Sequence, residues 1–120
     1  MLPPANRMRR SADFAAVVRS GRPVRRGCLV VHHLVATDGS TAPLVGFVVA
    51  RAVGGSVVRH RVTRRLRAVT AARLPLLAPG VRLVIRALPP AATATSADLA
   101  RDLDAALVRL GALTTAGAPA

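Results

Sequence analysis

One basic segment, residues 58–67, constrains the fold of this chain more than any other. Arginine or histidine fills six of its ten positions, yet apolar residues recur at helical spacing. The apolar positions are Val58, Val62, Leu66 and, just beyond the segment, Val69. At about 100° per residue these side chains share one face of a helix, and His60, Arg64 and Arg67 lie on the opposite face. The segment therefore predicts a helix that packs on a core and holds guanidinium groups outward.

The charge balance indicates what such a helix would bind. All 18 basic residues are arginine, against five aspartates and no glutamate, and the formal net charge is +13. A GC-rich genome would favour arginine over lysine, but it would not remove the acids. Guanidinium forks match phosphate oxygens in a bidentate way, so a polyanion, nucleic acid first, is the expected partner.

Length and composition favour one ordinary domain of 120 residues with an aliphatic core, because the chain has two Phe and no Trp or Tyr. We expect a flexible basic N-terminus at 1–10, a single domain at 11–110 and a disordered tail at 111–120. The apolar runs are far shorter than the ~20 residues that span a bilayer. With the single cysteine, Cys28, this favours the reducing cytoplasm and no membrane partner.

The pattern along the chain predicts three helices and three strands. In order they are a helix from Ser11 to Gly21, strands at 28–36 and 44–50, a helix from Ser56 to about Leu74, a strand at 81–88 and a helix at 97–110. Serines 11, 56 and 96 are the expected N-caps. The turn cluster at 37–40 indicates a hairpin between the first two strands, and residues 22–26 are read as a basic approach to the first one.

No catalytic constellation is visible in the sequence. Asp98 and Asp102 lie one helical turn apart with Asp104 nearby, which we interpret as charge near a helix start rather than as a metal site. His32 and His33 alternate across a strand, so only one faces the core. The other is either solvated or stacked on a nucleobase. The chain is therefore expected to supply binding surfaces and no metal ligands.

A specific resemblance follows from these residues. The run Gly46–Arg67, a strand, a glycine turn and an arginine helix, resembles the signature of the bacterial ribonuclease P protein subunit. Residues 6–14 resemble the family's opening helix and residues 84–87 its last strand. The resemblance implies an α+β fold, a small two-layer α/β sandwich with a mixed four-stranded sheet in the order αβββαβα. It also implies a left-handed βαβ crossover, against the usual hand.

The resemblance also implies a role. The family works with a large catalytic RNA that removes the 5′ leader of precursor tRNA with Mg²⁺, and the RNA performs the hydrolysis. The chain would then be the accessory protein subunit of a ribonucleoprotein endoribonuclease. Its partners would be the catalytic RNA and precursor tRNA, with no obligate protein partner and no cofactor held tightly by the protein itself.

Two sets of site residues carry over from the family by position. The residues expected to bind the catalytic RNA are Arg59, His60, Arg61, Arg64, Arg65 and Arg67. Those expected to bind the leader, in a separate groove, are Phe14, Val18, His32 and Arg51. The chain departs from the family pattern at His60, where the motif has asparagine, at Thr63, often lysine, and at Gly55. Val18 and His32 stand at positions that are often aromatic, so base stacking, worth ~1–3 kcal/mol per base, would rest on Phe14 and His32.

Two other functions fit parts of the sequence, and a third lacks the residues that it needs. A ribosomal protein could use the same α/β surface on ribosomal RNA. A DNA-binding domain could place the arginine helix in the major groove, although no helix–turn–helix pair flanks it. A self-sufficient nuclease would need clustered carboxylates, which the sequence does not offer.

Overall fold

Four strands form one mixed sheet in the computed structural model, which describes residues 2–114. The strands are β1 (Arg22–Arg26), β2 (Leu29–Val35), β3 (Leu44–Val48) and β4 (Val81–Ala87). The helices are α1 (Ser11–Ser20), α2 (Ser56–Ala71) and α3 (Ser96–Leu110). The spatial order β1-β2-β4-β3 and the chain order αβββαβα confirm the expected α+β class with a mixed four-stranded sheet.

The first strand was missed in the sequence. Residues 22–26 pair with β2 in an antiparallel hairpin, with Arg26 opposite Leu29. Between them Gly27 has φ +55°, while Cys28 keeps a negative φ. A glycine with positive φ at the first of two loop residues is typical of the tight turns that match strand twist. Only Val24 of this strand is buried, so its sequence carries almost no apolar alternation.

The predicted hairpin between the second and third strands is wrong. β4 lies between them, antiparallel to β2 and parallel to β3. Parallel neighbours need a long crossover, and here α2 provides it between β3 and β4. The handedness of this crossover remains an expectation drawn from the family.

The two faces of the sheet bury different sets of side chains. On one face, Leu83 and Ile85 of β4 belong to the main core, together with Leu66 of α2 and Leu103 of α3. On the other face, Val84 packs in a smaller cluster with Val17 of α1. The main sandwich thus consists of the sheet, α2 and α3, while α1 covers only part of the opposite face.

Helix ends differ from the prediction at the caps. Gly55, not Ser56, precedes α2, which ends at Ala71 because a 3₁₀ turn at Leu74–Leu76 follows. The cap of α3 is Thr95, whose hydroxyl accepts from the Asp98 amide while the Asp98 carboxylate accepts from the Thr95 amide. This capping box satisfies two otherwise unpaired amides. Arg10 precedes α1 without a side-chain cap, so none of the three predicted serines serves as an N-cap.

The N-terminal segment is packed, which does not fit the flexible arm expected at 1–10. Leu2 is fully buried in the main core. The Met8 amide donates to the Val45 oxygen at 2.9 Å, so the segment covers the free edge of β3. At the other end Ala112 is also buried. The rest of the predicted tail, 115–120, lies outside the described residues. No helix within residues 2–114 is long and apolar enough to cross a membrane.

Candidate nucleic-acid interface

The helix α2 presents arginine on three sides around a buried stripe. Val62 and Leu66 are fully buried and Val69 nearly so, which confirms the predicted inward face. We call Arg61 and Arg65 the proline-turn side of α2, because they face the 3₁₀ turn Pro89–Thr93. Arg59, Thr63 and Arg67 form the groove side. His60 and Arg64, both exposed, form the outer side.

The proline-turn side is bonded to the chain itself. Arg61 Nη2 donates to the backbone oxygen of Ala92 at 3.0 Å, and Arg65 Nη1 donates to that of Ala94 at 2.7 Å. Both residues are half-buried. These two arginines, predicted from the resemblance to bind RNA, therefore connect α2 to the turn that leads into α3.

The groove side is free of such contacts. Arg67 has no hydrogen bond or ion pair within the described residues, and the buried Nε of Arg59 is likewise unpartnered there. Thr63 Oγ1 donates to the Arg59 backbone oxygen at 2.8 Å. These residues open on a groove of about 600 Å³. Its other lining residues are Val49, Ser56, His60, Arg64 and Ala68.

A second groove, of about 250 Å³, lies between α2, β3 and the N-terminal segment. Its lining residues are Arg7, Met8, Arg9, Phe14, Val45, Gly46, Phe47, Thr63 and Arg67. Thr63 and Arg67 line both grooves. The aromatic residue predicted for the leader and the arginine helix predicted for the RNA subunit therefore border one connected surface, not two separate ones.

The position of Phe14 depends on a glycine beneath it. A Cβ built on Gly46 would lie 2.4 Å from Cζ of Phe14. Any larger residue at this point of β3 would displace the ring, since real side chains do not approach that closely. Glycine inside a strand is a sequence signal for such a close approach, and it could have identified Gly46 as part of the site.

The other predicted leader residues are dispersed. Val18 is 48% exposed on α1 and His32 points to the same face of the sheet as Val84, which α1 partly covers. Arg51 begins a 3₁₀ turn after β3 and lines neither groove. The structure thus brings Phe14 together with α2 and leaves Val18, His32 and Arg51 outside that groove.

A row across the sheet was not predicted as part of the site. Its members, in spatial order, are Arg25, Val30, Arg86 and Val48. They point to the α1 face, and both arginines are exposed without a partner for the Arg86 guanidinium among residues 2–114. The period-2 alternation of β4, which puts Arg86 opposite the core, is the signal that could have found it.

The register also separates the two histidines. His32 pairs with Val84 on the α1 face, whereas His33 pairs with Leu83 on the main-core face. Burial, and then the Arg86 guanidinium, hold the pKa of His32 below its usual 6.5. Burial, and then Arg22, lower the pKa of His33. Of the two, only His32 lies on the α1 face of the sheet, which also carries Arg25 and Arg86.

Comparison with known proteins identifies the fold and its relatives. The family model described as ribonuclease P matches residues 2–111. The chain belongs to the ribonuclease P protein family. It is 57% identical over 111 residues to the ribonuclease P protein component of Beutenbergia cavernae, covering 92% of each chain. It is 56% identical over 117 residues to that of Streptomyces bikiniensis, covering 92% of this chain and 95% of the relative.

Solved ribonuclease P proteins share the fold. The Staphylococcus aureus protein superposes with a TM-score of 0.81 at 19% identity, covering 91% of this chain and 98% of that one. The Thermotoga maritima protein gives 0.75 at 20% identity, covering 86% and 96%. These likenesses confirm the resemblance and the predicted fold, while the roles of individual residues remain predictions.

Three aspartates of this ribonuclease P family member lie against other groups of the fold. Asp104 forms a bidentate pair with Arg73, Asp98 completes the α3 cap, and Asp38 lies 3.7 Å from Arg82. Within residues 2–114 no three His, Cys, Asp or Glu side chains are placed to hold a metal ion. Of the aspartates interpreted as charge near a helix start, Asp98 lies in the first turn of α3, whereas Asp104 pairs with Arg73 from the middle of the helix.

Asp102 of α3 accepts hydrogen bonds from the turn between β1 and β2. Its Oδ2 accepts from the Cys28 amide at 3.1 Å and from Cys28 Sγ at 3.4 Å. Burial raises the pKa of the Cys28 thiol to about 11, and the hydrogen bond to Asp102 adds to the shift. A thiol with such a pKa stays protonated near pH 7 and is a poor nucleophile.

Proposed function

We propose that this chain is the RNA-binding, non-catalytic protein subunit of ribonuclease P. It binds the catalytic RNA and the 5′ leader of precursor tRNA, and it assists the Mg²⁺-dependent endonucleolytic cleavage that produces the mature 5′ end. The RNA subunit breaks the bond. The family match over residues 2–111 supports the ribonucleoprotein role, and the guanidinium groups that line the two grooves support RNA binding.

The observation that carries the proposal is the connected surface of the two grooves. It combines a basic rim, Arg59, Arg64 and Arg67, with an apolar floor that includes Phe14 and Val49. Phosphates of a single strand pair with such a rim while a base stacks on the ring. Each phosphate neutralised releases counterions, so binding should weaken steeply with salt.

The metal belongs to the RNA in this proposal. Mg²⁺ prefers carboxylate and phosphate oxygens, and three of the chain's aspartates are engaged in a cap or with arginine. The protein would lower the repulsion between the RNA subunit and its substrate and so reduce the Mg²⁺ that they need. The buried free thiol of Cys28 fits a reducing cytoplasm, where we place the holoenzyme.

A reconstitution assay tests the proposal. Cleavage of precursor tRNA by the cognate RNA subunit is measured at low Mg²⁺ with and without this chain, and the expected result is cleavage that depends on the chain. Precursor tRNA should also bind the holoenzyme more tightly than mature tRNA. Cleavage by the protein without the RNA, or no stimulation at any Mg²⁺ concentration, would contradict the proposal.

A further inference from the structure

The three sides of α2 differ in what they can still bind. On the proline-turn side, the guanidinium groups of Arg61 and Arg65 already donate hydrogen bonds to the backbone oxygens of Ala92 and Ala94. The outer side, His60 and Arg64, lines the larger groove but not the groove that contains Phe14. Only the groove side, through Thr63 and Arg67, also lines the groove that contains Phe14. A strand that stacks on Phe14 thus meets Arg67 before it meets any other arginine of α2.

We propose that the groove side of α2 binds the precursor-tRNA leader, and that the leader runs from Phe14 past Arg67 and Thr63 toward Arg59. This rests on the proposed function and reassigns Arg59 and Arg67 from the RNA subunit to the substrate strand. The outer residues His60 and Arg64 keep the RNA-subunit role.

The spacing on the helix suits a short single strand. Arg59, Thr63 and Arg67 follow at intervals of four residues, which places them along one ridge of the helix. From Arg59 to Arg67 the ridge extends about 12 Å at ~1.5 Å per residue. At the ~3.4 Å spacing of stacked nucleotides, this is room for about four nucleotides at most.

Thr63 gives the path a neutral centre. Its side chain is uncharged and its hydroxyl donates to the Arg59 backbone oxygen, so position 63 adds no positive charge between the two arginines. The path therefore has two guanidinium clamps separated by a small side chain, with Phe47 and Val49 among the apolar residues beside them. A lysine at position 63 would fill this gap with a third cation directed into both grooves.

The test uses the holoenzyme and a series of precursor tRNAs whose leaders grow one nucleotide at a time, with mature tRNA as the reference. In the wild type, affinity should rise with leader length and then level off within the length of the ridge. Arg67→Ala should reduce this leader-dependent gain in affinity roughly tenfold, which corresponds to the loss of one charge-assisted hydrogen bond to phosphate. The affinity for mature tRNA should stay unchanged.

A second variant tests the same path by gain of binding. Thr63→Lys should strengthen binding of long-leader substrates several-fold and steepen the salt dependence by about 0.7, the slope of one added contact to a single strand. Arg109→Ala removes an exposed arginine of α3 that has no partner within residues 2–114 and lines neither groove, and it is the matched control for charge loss. It should change neither the leader gain nor the slope.

The outcomes separate this inference from the proposed function. If the wild type gains affinity with leader length but Arg67→Ala keeps the whole gain, the path is wrong and the subunit role stands. An equal loss on mature tRNA and in affinity for the RNA subunit would return Arg67 to the RNA subunit. A wild-type holoenzyme with no leader-length gain would overturn leader binding itself.

Discussion

The two long sides of α2 carry the same residue type and have opposite fates. On the proline-turn side, Arg61 and Arg65 donate to backbone oxygens of their own chain at 3.0 and 2.7 Å. On the groove side, Arg67 is exposed and unpaired within residues 2–114. Formal charge in a sequence is therefore a poor measure of the charge available to a partner. What decides availability is whether a neighbouring turn offers acceptors.

The largest expected effect comes from removing the bonded side. Arg61→Ala with Arg65→Ala should lower the free energy of unfolding by about 2–4 kcal/mol, because two charged hydrogen bonds that hold α2 to the proline turn are lost. Urea denaturation at constant salt measures it. If the free energy of unfolding falls with urea concentration at the same slope as in the wild type, the variant has changed stability and not the surface exposed on unfolding.

The matched control removes the same charge from the same helix. Arg64→Ala with Arg67→Ala deletes two exposed guanidinium groups that have no partner in the described part of the chain, and it should change stability by no more than about 0.5 kcal/mol. Its effect should be on RNA binding instead. If the two double variants lost equal stability, the distinction between the sides of α2 would be wrong.

A smaller loss is expected from a change at Gly46, in the groove that contains Phe14. Gly46→Ala places a Cβ about 2.4 Å from Cζ of Phe14, so the ring must move away from β3. Such overpacking costs about 1–3 kcal/mol, and the displaced ring should also weaken leader binding. Thermal unfolding and the affinity for precursor tRNA are the two measurements.

A double-mutant cycle isolates the contact. In a Phe14→Ala background the same Gly46→Ala change should cost less, because the ring is gone and only the milder approach to Cβ of Met8, at 3.1 Å, remains. Additive losses would mean that Gly46 serves the strand rather than the ring. The proline-turn side, which touches neither residue, should retain its hydrogen bonds in all four proteins.

The sequence could reveal the inward face of α2 but not its two flanks. Apolar spacing is a property of the helix alone, so Val62 and Leu66 were predicted correctly. Whether Arg61 is bonded depends on Ala92, which is distant in sequence and which the chain brings beside α2 only after forming β4. No local pattern encodes that distance, and the family resemblance assigned all the arginines of the helix to one partner.

The strand pairing failed for a related reason. Turn residues at 37–40 indicated a hairpin, yet β4, remote in sequence, inserts between β2 and β3. β1 escaped notice because it buries one side chain, Val24, and its arginines mask the alternation. Local signals gave the helices, the later strands and their inward residues. The pairing order and the joining of the grooves arise from contacts between distant segments.

The smallest predicted effect compares a free and a paired arginine on β4. Arg82 and Arg86 lie two residues on either side of Val84, the partner of His32, and so are diagonal neighbours of that histidine. Asp38 lies 3.7 Å from Arg82, whereas Arg86 forms no ion pair with any acid that the structure describes. Accordingly Arg86, after burial, lowers the pKa of His32. Arg86→Gln should raise that pKa toward 6.5, as followed by NMR titration of the imidazole.

The sign of the pH dependence follows from the same shift. Because the folded pKa of His32 is depressed, the unfolded chain takes up a proton first as pH falls below about 6.5, and stability drops. Arg86→Gln should reduce this loss, while Arg82→Gln, which also frees Asp38, should leave the pKa of His32 nearly unchanged. Equal shifts from the two variants would show that pairing with Asp38 does not neutralise Arg82, and the distinction between free and engaged arginine would fail on the sheet.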